Sequence, residues 1–419
     1  MPVSFLYRLI SLSLIMSTAI AAQGSARLFS VHPRSFQVGS HPCAIALADL
    51  NGDGIPDIVT ADRGELHDSR EERPANDELS VLLSDTPFNY IRRHPSLKTG
   101  FAPYALALAN VDSLKWPDII SVNFHTGRNK IVSVFLNFKD EGIFKPVEFK
   151  APDNIAPYER HHDGAGEPLY TTPGLTSLVV ADFNHDGLRD LAATGWSNDT
   201  IMIMTGHADD VFNDPVFFPL AGAPRAICCA HLDEDDHYDL IVALYATSEI
   251  ALLQGNGKGD FIEKNRFNSR GKLPVTVNYK DVNGDGKGDI IVGHAEAGDN
   301  LVIFYGDRPY NFSVAQDIPL GKTRDILEYG IKDAVAADFN DNGAVDIAVA
   351  CHALPGVVVL VNESDSTAIP QKFRQEEYSF KEGIPLSLAA ADLDGSGYPD
   401  LAVSMGTSNT VGFLKNNKQ

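Results

Sequence analysis

Residues 42–61 read PCAIALADLNGDGIPDIVTA. A proline opens a short apolar run, nine residues rich in oxygen side chains follow from Asp49 to Asp57, and a second apolar run closes the unit. Two such runs joined through a Gly- and Asp-rich loop predict a β-hairpin. The loop returns as Asp182-FNHDGLR-Asp190 and Asp281-VNGDGKG-Asp289, and with changes as Asp338-FNDNGAV-Asp346 and Asp392-LDGSGYP-Asp400. Two further copies are worn: Asn110-VDSLKWP-Asp118 and His231-LDEDDHY-Asp239. The seven copies begin at residues 49, 110, 182, 231, 281, 338 and 392.

Each unit also carries later strand-like runs, such as residues 79–85, 131–138, 300–307 and 356–362, with a further aromatic-bearing strand near Phe149 or Phe261. Four strands repeated seven times predict an all-β chain, a seven-bladed β-propeller of four-stranded blades. Closure gives an independent check. After the seventh loop only LAVSM and NTVGFLKNN remain, so that unit lacks its outer strand. An orphan strand-like segment, Arg27 to Gly39, precedes the first loop and is expected to complete the last blade.

The units resemble the FG-GAP/VCBS repeats of the integrin α-subunit propeller and its secreted single-domain relatives. The resemblance spans roughly residues 25 to 417 and implies one closed propeller over residues 23–419. It also implies adhesion or lectin-like binding, with metal ions in the hairpin between the first and second strands of each blade.

Composition agrees with a secreted globular chain. The protein has 419 residues and a formal charge of −22, with 56 acids against 34 bases, a balance that repels phosphate backbones and argues against a nucleic-acid partner. Residues 1–22 read as a signal peptide: Arg8, an apolar run from Leu9 to Ile20, then the small-x-small pattern Ala19-Ile20-Ala21. That run is too short for a membrane span of roughly 20 residues, and no later one approaches that length. The mature chain is expected in a secreted, periplasmic or extracellular setting. Cys43, Cys228, Cys229 and Cys351 match no zinc spacing, and buried thiols are the expected reading.

Crowded hard oxygens on one short loop suit Ca²⁺, which accepts 6–8 oxygen ligands. The candidate ligands are Asp49, Asn51, Asp53, Ile55 (carbonyl) and Asp57 in the first loop, and Asp182, Asn184, Asp186, Leu188 (carbonyl) and Asp190 in the third. The fifth offers Asp281, Asn283, Asp285, Lys287 (carbonyl) and Asp289. Weaker sets are Asp338, Asn340, Asn342, Ala344 and Asp346 in the sixth, and Asp392, Asp394, Ser396, Tyr398 and Asp400 in the seventh. In the second loop Leu114 takes a ligand position, and in the fourth His231 and Asp236 break the pattern. An EF-hand is disfavoured by β-rich flanks and by the missing Glu at position twelve.

The long insertions, Asp62 to Glu78, Ala156 to Leu175 and Gly321 to Asp333, all fall on the face opposite these loops. Just past the second strands stand Arg63, Phe124, Trp196, Tyr245 and His352, with His294 one step earlier. Aromatics and imidazoles around an axial mouth would suit sugar rings, so Arg63, Trp196, Tyr245, His294 and His352 are the candidate ligand residues. Phe124 reads as packing. His161, His162 and Asp163 are weak candidates for acid–base chemistry. No G-x-S-x-G, H-E-x-x-H or phosphate-binding Gly loop occurs. The leading expectation is a calcium-stabilised module binding a glycan or extracellular protein. The alternative is a carbohydrate lyase, dehydratase or hydrolase on the same scaffold.

Overall fold

The computed structural model describes residues 27–418 except 65–75, 113, 125–129, 140–143, 153–158, 163–167, 171–172, 297–299, 321–329 and 352–355, with backbone only at 159–162, 168–170 and 300. The expected signal peptide, Asp163 and His352 lie outside the described residues, as do most of the three insertions.

Seven antiparallel sheets stand in a ring. Their first strands are Pro42–Ala48, Pro103–Ala109, Leu175–Ala181, Pro224–Ala230, Pro274–Lys280, Ile331–Ala337 and Pro385–Ala391. Each touches the first strand of the next blade, and the seventh touches the first. The seven-bladed propeller read from the repeats is the fold of the protein.

The second strands explain why the repeat has its apolar texture. Asp57–Asp62, Asp118–Asn123, Asp190–Gly195, Asp239–Leu244, Asp289–His294, Asp346–Cys351 and Asp400–Met405 are buried at every residue. A strand with another blade on each side has no solvent face, so it reads as an unbroken apolar run. Between blades lie seven separate hydrophobic clusters, one per interface. No blade can bury its faces alone, and the ring is therefore the unit of stability.

The N-terminal segment closes that ring as expected. Phe29–Val31 pairs antiparallel with Thr410–Asn416, matching Phe29 to Asn416, and Phe36–Gln37 pairs with Val411 and Thr410. Phe29 is 1% exposed and meets Phe339 and Tyr378 edge-on at 5.4 and 5.9 Å. Its amide donates to the Tyr378 hydroxyl, and the Leu28 amide donates to Glu376, so blade six also grips the strand. Phe29→Ala removes a fully enclosed ring and should cost about 3–5 kcal/mol. Equilibrium urea unfolding reads this directly; an unchanged midpoint would mean that the strand is not part of the closure.

Candidate functional site

Two regions carry unusual chemistry, one at each end of the first strands. At the far end lie the nine-residue loops. Their last residue is an aspartate in all seven blades, and Asp57, Asp118, Asp190, Asp239, Asp289, Asp346 and Asp400 are all fully buried. Each carboxylate bridges two backbone donors. In the first blade Leu50 N–H donates to one oxygen at 2.8 Å and Ser84 N–H to the other at 2.6 Å. The same pair recurs at Asp118 (Val111, Asn137), Asp190 (Phe183, Gly206) and Asp239 (Leu232, Gly255). It recurs again at Asp289 (Val282, Gly306), Asp346 (Phe339, Asn362) and Asp400 (Leu393, Asn416). One donor starts the loop and the other ends the third strand, so the aspartate ties three strands of a blade together.

The rest of the loop is wound around its first residue. Asp49 accepts the amides of Gly52, Asp53 and Gly54, and Asp281 those of Gly284, Asp285 and Gly286. Position six needs a left-handed backbone: Gly54, Gly187, Gly286, Gly343 and Gly397 have φ between 83° and 88°. In the seventh loop the oxygens of Asp392, Asp394 and Asp400 lie within 4.8 Å of one another, and Lys415 sits 2.7 Å from Asp394. The fourth loop satisfies its acids with protein donors instead. Tyr310 Oη and Gln254 Nε2 donate to Asp233, and the His231 ring nitrogen contacts the His237 carbonyl at 2.9 Å.

At the other end of the first strands every blade carries a β-bulge. In six blades the second residue of the strand has no partner across the ladder: Cys43, Tyr104, Arg225, Val275, Lys332 and Leu386. In the third blade the irregularity falls at Thr176 and Ser177. A bulge re-aims a side chain, and here it adds one residue per blade to the wall of an axial cavity of about 500 Å³. Neighbouring inner strands are tied around this mouth by side chains. Thr176 Oγ1 donates to the Arg225 carbonyl, Asn278 Nδ2 to the Ala334 carbonyl, and Cys43 Sγ to the Pro103 carbonyl.

The mouth is cationic. The Arg225 guanidinium donates to Tyr104 Oη and lies 4.5 Å from the ring centroid, while Arg63 lies 5.1 Å from the same ring. Burial pushes the Tyr104 phenol up, but Arg225 and Arg63 together pull it below its ordinary value. Lys332 is reachable through the mouth, yet the surrounding wall lowers its ammonium pKa, with Arg225 and Arg63 adding repulsion. Asp333 is the acid in this wall, and it accepts from Ser387 Oγ, Leu388 N and Ala334 N.

Of the residues that the sequence places around the mouth, Arg63 lines the cavity. Phe124 is 7% exposed and packs between Tyr104 and Trp196, at 5.5 and 5.7 Å. Trp196 meets Tyr245 at 6.4 Å, so an aromatic run leads from the mouth across blades two, three and four. His294 is 1% exposed, packs on Gly271 and does not line the cavity. His161 and His162 lie in a hairpin of Glu159–His162 with Pro168–Tyr170, separate from the seven blade sheets. None of the four cysteines is in a disulfide, and burial pushes the Cys43 thiol up to about 11.

The bulged positions are missing from the sequence reading, although a signal for them exists. Five follow the repeat's proline directly: Pro42-Cys43, Pro103-Tyr104, Pro224-Arg225, Pro274-Val275 and Pro385-Leu386.

The sequence matches no family model and no curated protein. Its fold is similar to that of BBS1N in complex with ARL6DN, with TM-score 0.56 and 15% identity over 94% of this chain and 98% of the other. A streptogramin B lyase aligns at TM-score 0.55 and 13% identity, covering 93% and 98% of the two chains. Virginiamycin B lyase from Staphylococcus aureus aligns at TM-score 0.52 and 14% identity, covering 92% and 99%. Identities this low carry the propeller architecture and nothing about activity. Among the described residues no helix is long and apolar enough to cross a membrane.

Two outcomes test the carboxylate staple. Asp118 belongs to the loop with the poorest ligand set, so Asp118→Ala should cost about 3 kcal/mol by orphaning two buried amides, equally in calcium and in chelator. Urea unfolding under both conditions checks it, and a cost seen only with calcium would assign the residue to metal binding. Burial raises Asp57, Asp118, Asp289, Asp346 and Asp400 to about 6, against the opposing pull of their backbone donors. Carboxyls raised on folding stabilise the fold below their unfolded value near 4, and that contribution is lost as pH rises through about 6. In chelator, the thermal midpoint should therefore be higher at pH 5 than at pH 7.

Proposed function

We infer that the protein is a binding module, a calcium-stabilised propeller that takes a glycan or an extracellular protein at its axial mouth. The observation that carries this reading is the bulge repeated in every blade, which contributes seven first-strand positions to one cavity wall. A cavity of about 500 Å³ falls in the size range of small-ligand sites. Trp196 and Tyr245 do not line the cavity, but they continue the aromatic run that starts at Tyr104 in its wall, and their half-buried rings would offer a sugar a surface to stack on. Export through the N-terminal segment belongs to the same reading.

Calcium enters through the loops at the opposite end. Asp49, Asn51 and Asp53, their counterparts in the third and fifth loops, and Asp392, Asp394 and Asp400 would hold it. The donor set is all oxygen, and in the seventh loop three carboxylates lie within 4.8 Å of one another, an arrangement whose repulsion a cation would relieve. The ion would supply charge neutralisation and a rigid hairpin. A second reading, an enzyme acting on a carbohydrate, draws on Tyr104, whose phenol the two guanidiniums make easier to ionise, so that its phenolate could accept a proton as a base.

A glycan array probed with the mature protein, in calcium and in chelator, tests the binding reading. A narrow set of hits lost in Trp196→Ala is the expected result; a blank array from folded protein would remove the glycan. Asp285→Ala should lower the melting temperature by several degrees in calcium and match wild type in chelator. Turnover of a bound glycan that disappears in Tyr104→Phe, with binding retained, would carry the enzyme reading instead.

A further inference from the structure

We propose that the axial mouth is an anion site and that the glycan it takes is acidic, its uronate carboxylate or sulfate held by Arg63, Arg225 and Lys332. This rests on the binding-module reading and narrows its ligand.

Three cations converge there in a chain of net charge −22, where a basic cluster is the improbable arrangement. Among the described residues none of the three is in a salt bridge with a carboxylate. Elsewhere cations face acids, as in Arg266–Glu263, Arg270–Asp317 and Lys272–Glu296. The acids that adjoin Arg63 and Lys332 in sequence are spent on other donors. Asp333 accepts from Ser387 and two amides, and Asp62, adjacent to Arg63 in sequence, accepts from Thr60, Ser80 and the Gly39 amide. Arg63 Nε is buried with no hydrogen-bond partner among the described residues. An unmatched guanidinium N–H is costly unless something supplies an acceptor.

The arrangement is also built in position. Arg225 and Lys332 stand at bulged residues of blades four and six, and Arg63 follows the second strand of blade one, so the charges approach from separate sides. Both guanidiniums lie over the Tyr104 ring in the cavity wall, and Arg225 also donates to its hydroxyl. A planar oxyacid group suits such a fork, since guanidinium matches carboxylate and sulfate oxygens in pairs. The aromatic run from Tyr104 through Phe124 to Trp196 and Tyr245 leaves the mouth on one side. Its end, the half-buried Trp196 and Tyr245, would stack the next sugar on the part of the rings left open, which favours an anionic saccharide over a free small acid.

The test is calorimetric titration of the full mature protein with oligosaccharides of equal length that are neutral, uronate-bearing or sulfated, alongside free glucuronate and inorganic sulfate. We expect an acidic oligosaccharide to bind about tenfold or more tightly than the neutral one and than free glucuronate, and inorganic sulfate to displace it. Arg225→Gln and Lys332→Gln should each weaken it about tenfold. If Arg225→Gln does not fold, Lys332→Gln and sulfate displacement from wild type decide. Equal affinity for neutral and acidic sugars would overturn the anion site while leaving the binding module intact. Sulfate or glucuronate binding as tight as any oligosaccharide would overturn the saccharide. Failure of every ligand to bind folded protein would overturn both.

Discussion

Each blade hangs on one buried carboxylate. The nine-residue loop must leave the first strand, turn back and deliver the second strand into the centre of the blade. This strands two amides, one at the start of the loop and one at the end of the third strand. A single aspartate accepts both, one on each oxygen, and no neutral side chain of that length offers two equivalent acceptors. Where the third strand ends in asparagine, the tie extends outward. Asn137, Asn362 and Asn416 donate to the carbonyls of Leu50, Val282 and Phe339 in the preceding blade. Blades three to five carry Gly206, Gly255 and Gly306 instead, where a Cβ would strike the backbone of the residue before the aspartate.

That requirement accounts for the pattern of wear. The second and fourth loops have lost metal-type ligands, yet Asp118 and Asp239 keep both backbone bonds. The last position therefore answers to folding, and the changes of side chain fall on the earlier positions of the loop. In the fourth loop protein groups serve the acid at the third position, where Tyr310 and Gln254 donate to Asp233. Seven buried acids also carry an electrostatic cost, since five of them hold protons up to about pH 6. A divalent ion beside such a group would reverse that preference for the proton.

Most of the architecture is legible in the sequence because it rests on features that survive averaging over copies. The spacing of the loops, the solid apolar second strands and the orphan Arg27–Gly39 segment all report burial and pairing, and they give the blade number and the closure. The axial wall is harder to read for a physical reason. A bulge shifts the phase of the strand by one residue, so Arg225 and Lys332 face the axis at positions that a strict alternation assigns to the blade interface. The ends of the second strands, by contrast, are marked by aromatic and basic residues in the sequence. Arg63 does reach the cavity from there, but His294 is enclosed against Gly271, because one residue earlier in that strand still lies inside the blade. The proline before five of the bulges is the signal in the sequence, and its meaning depends on the next residue leaving the ladder.

The two ends of the first strands thus have opposite electrostatics. The loop end concentrates carboxylates in every blade, and the mouth end gathers two guanidiniums and an ammonium without ion-pair partners among the described residues. A molecule of net charge −22 repels anions at long range, so an acidic ligand approaches against the mean field. The field close to the axis has the other sign, and low-dielectric walls strengthen it at short distance. Calcium in the loops would reduce the negative charge on the far face and so weaken the opposing long-range field, without touching the mouth. The acidic loops and the basic mouth are then coupled through charge alone. Salt would screen this coupling first, because it acts over distances longer than a Debye length, and would disturb the contacts inside the mouth least.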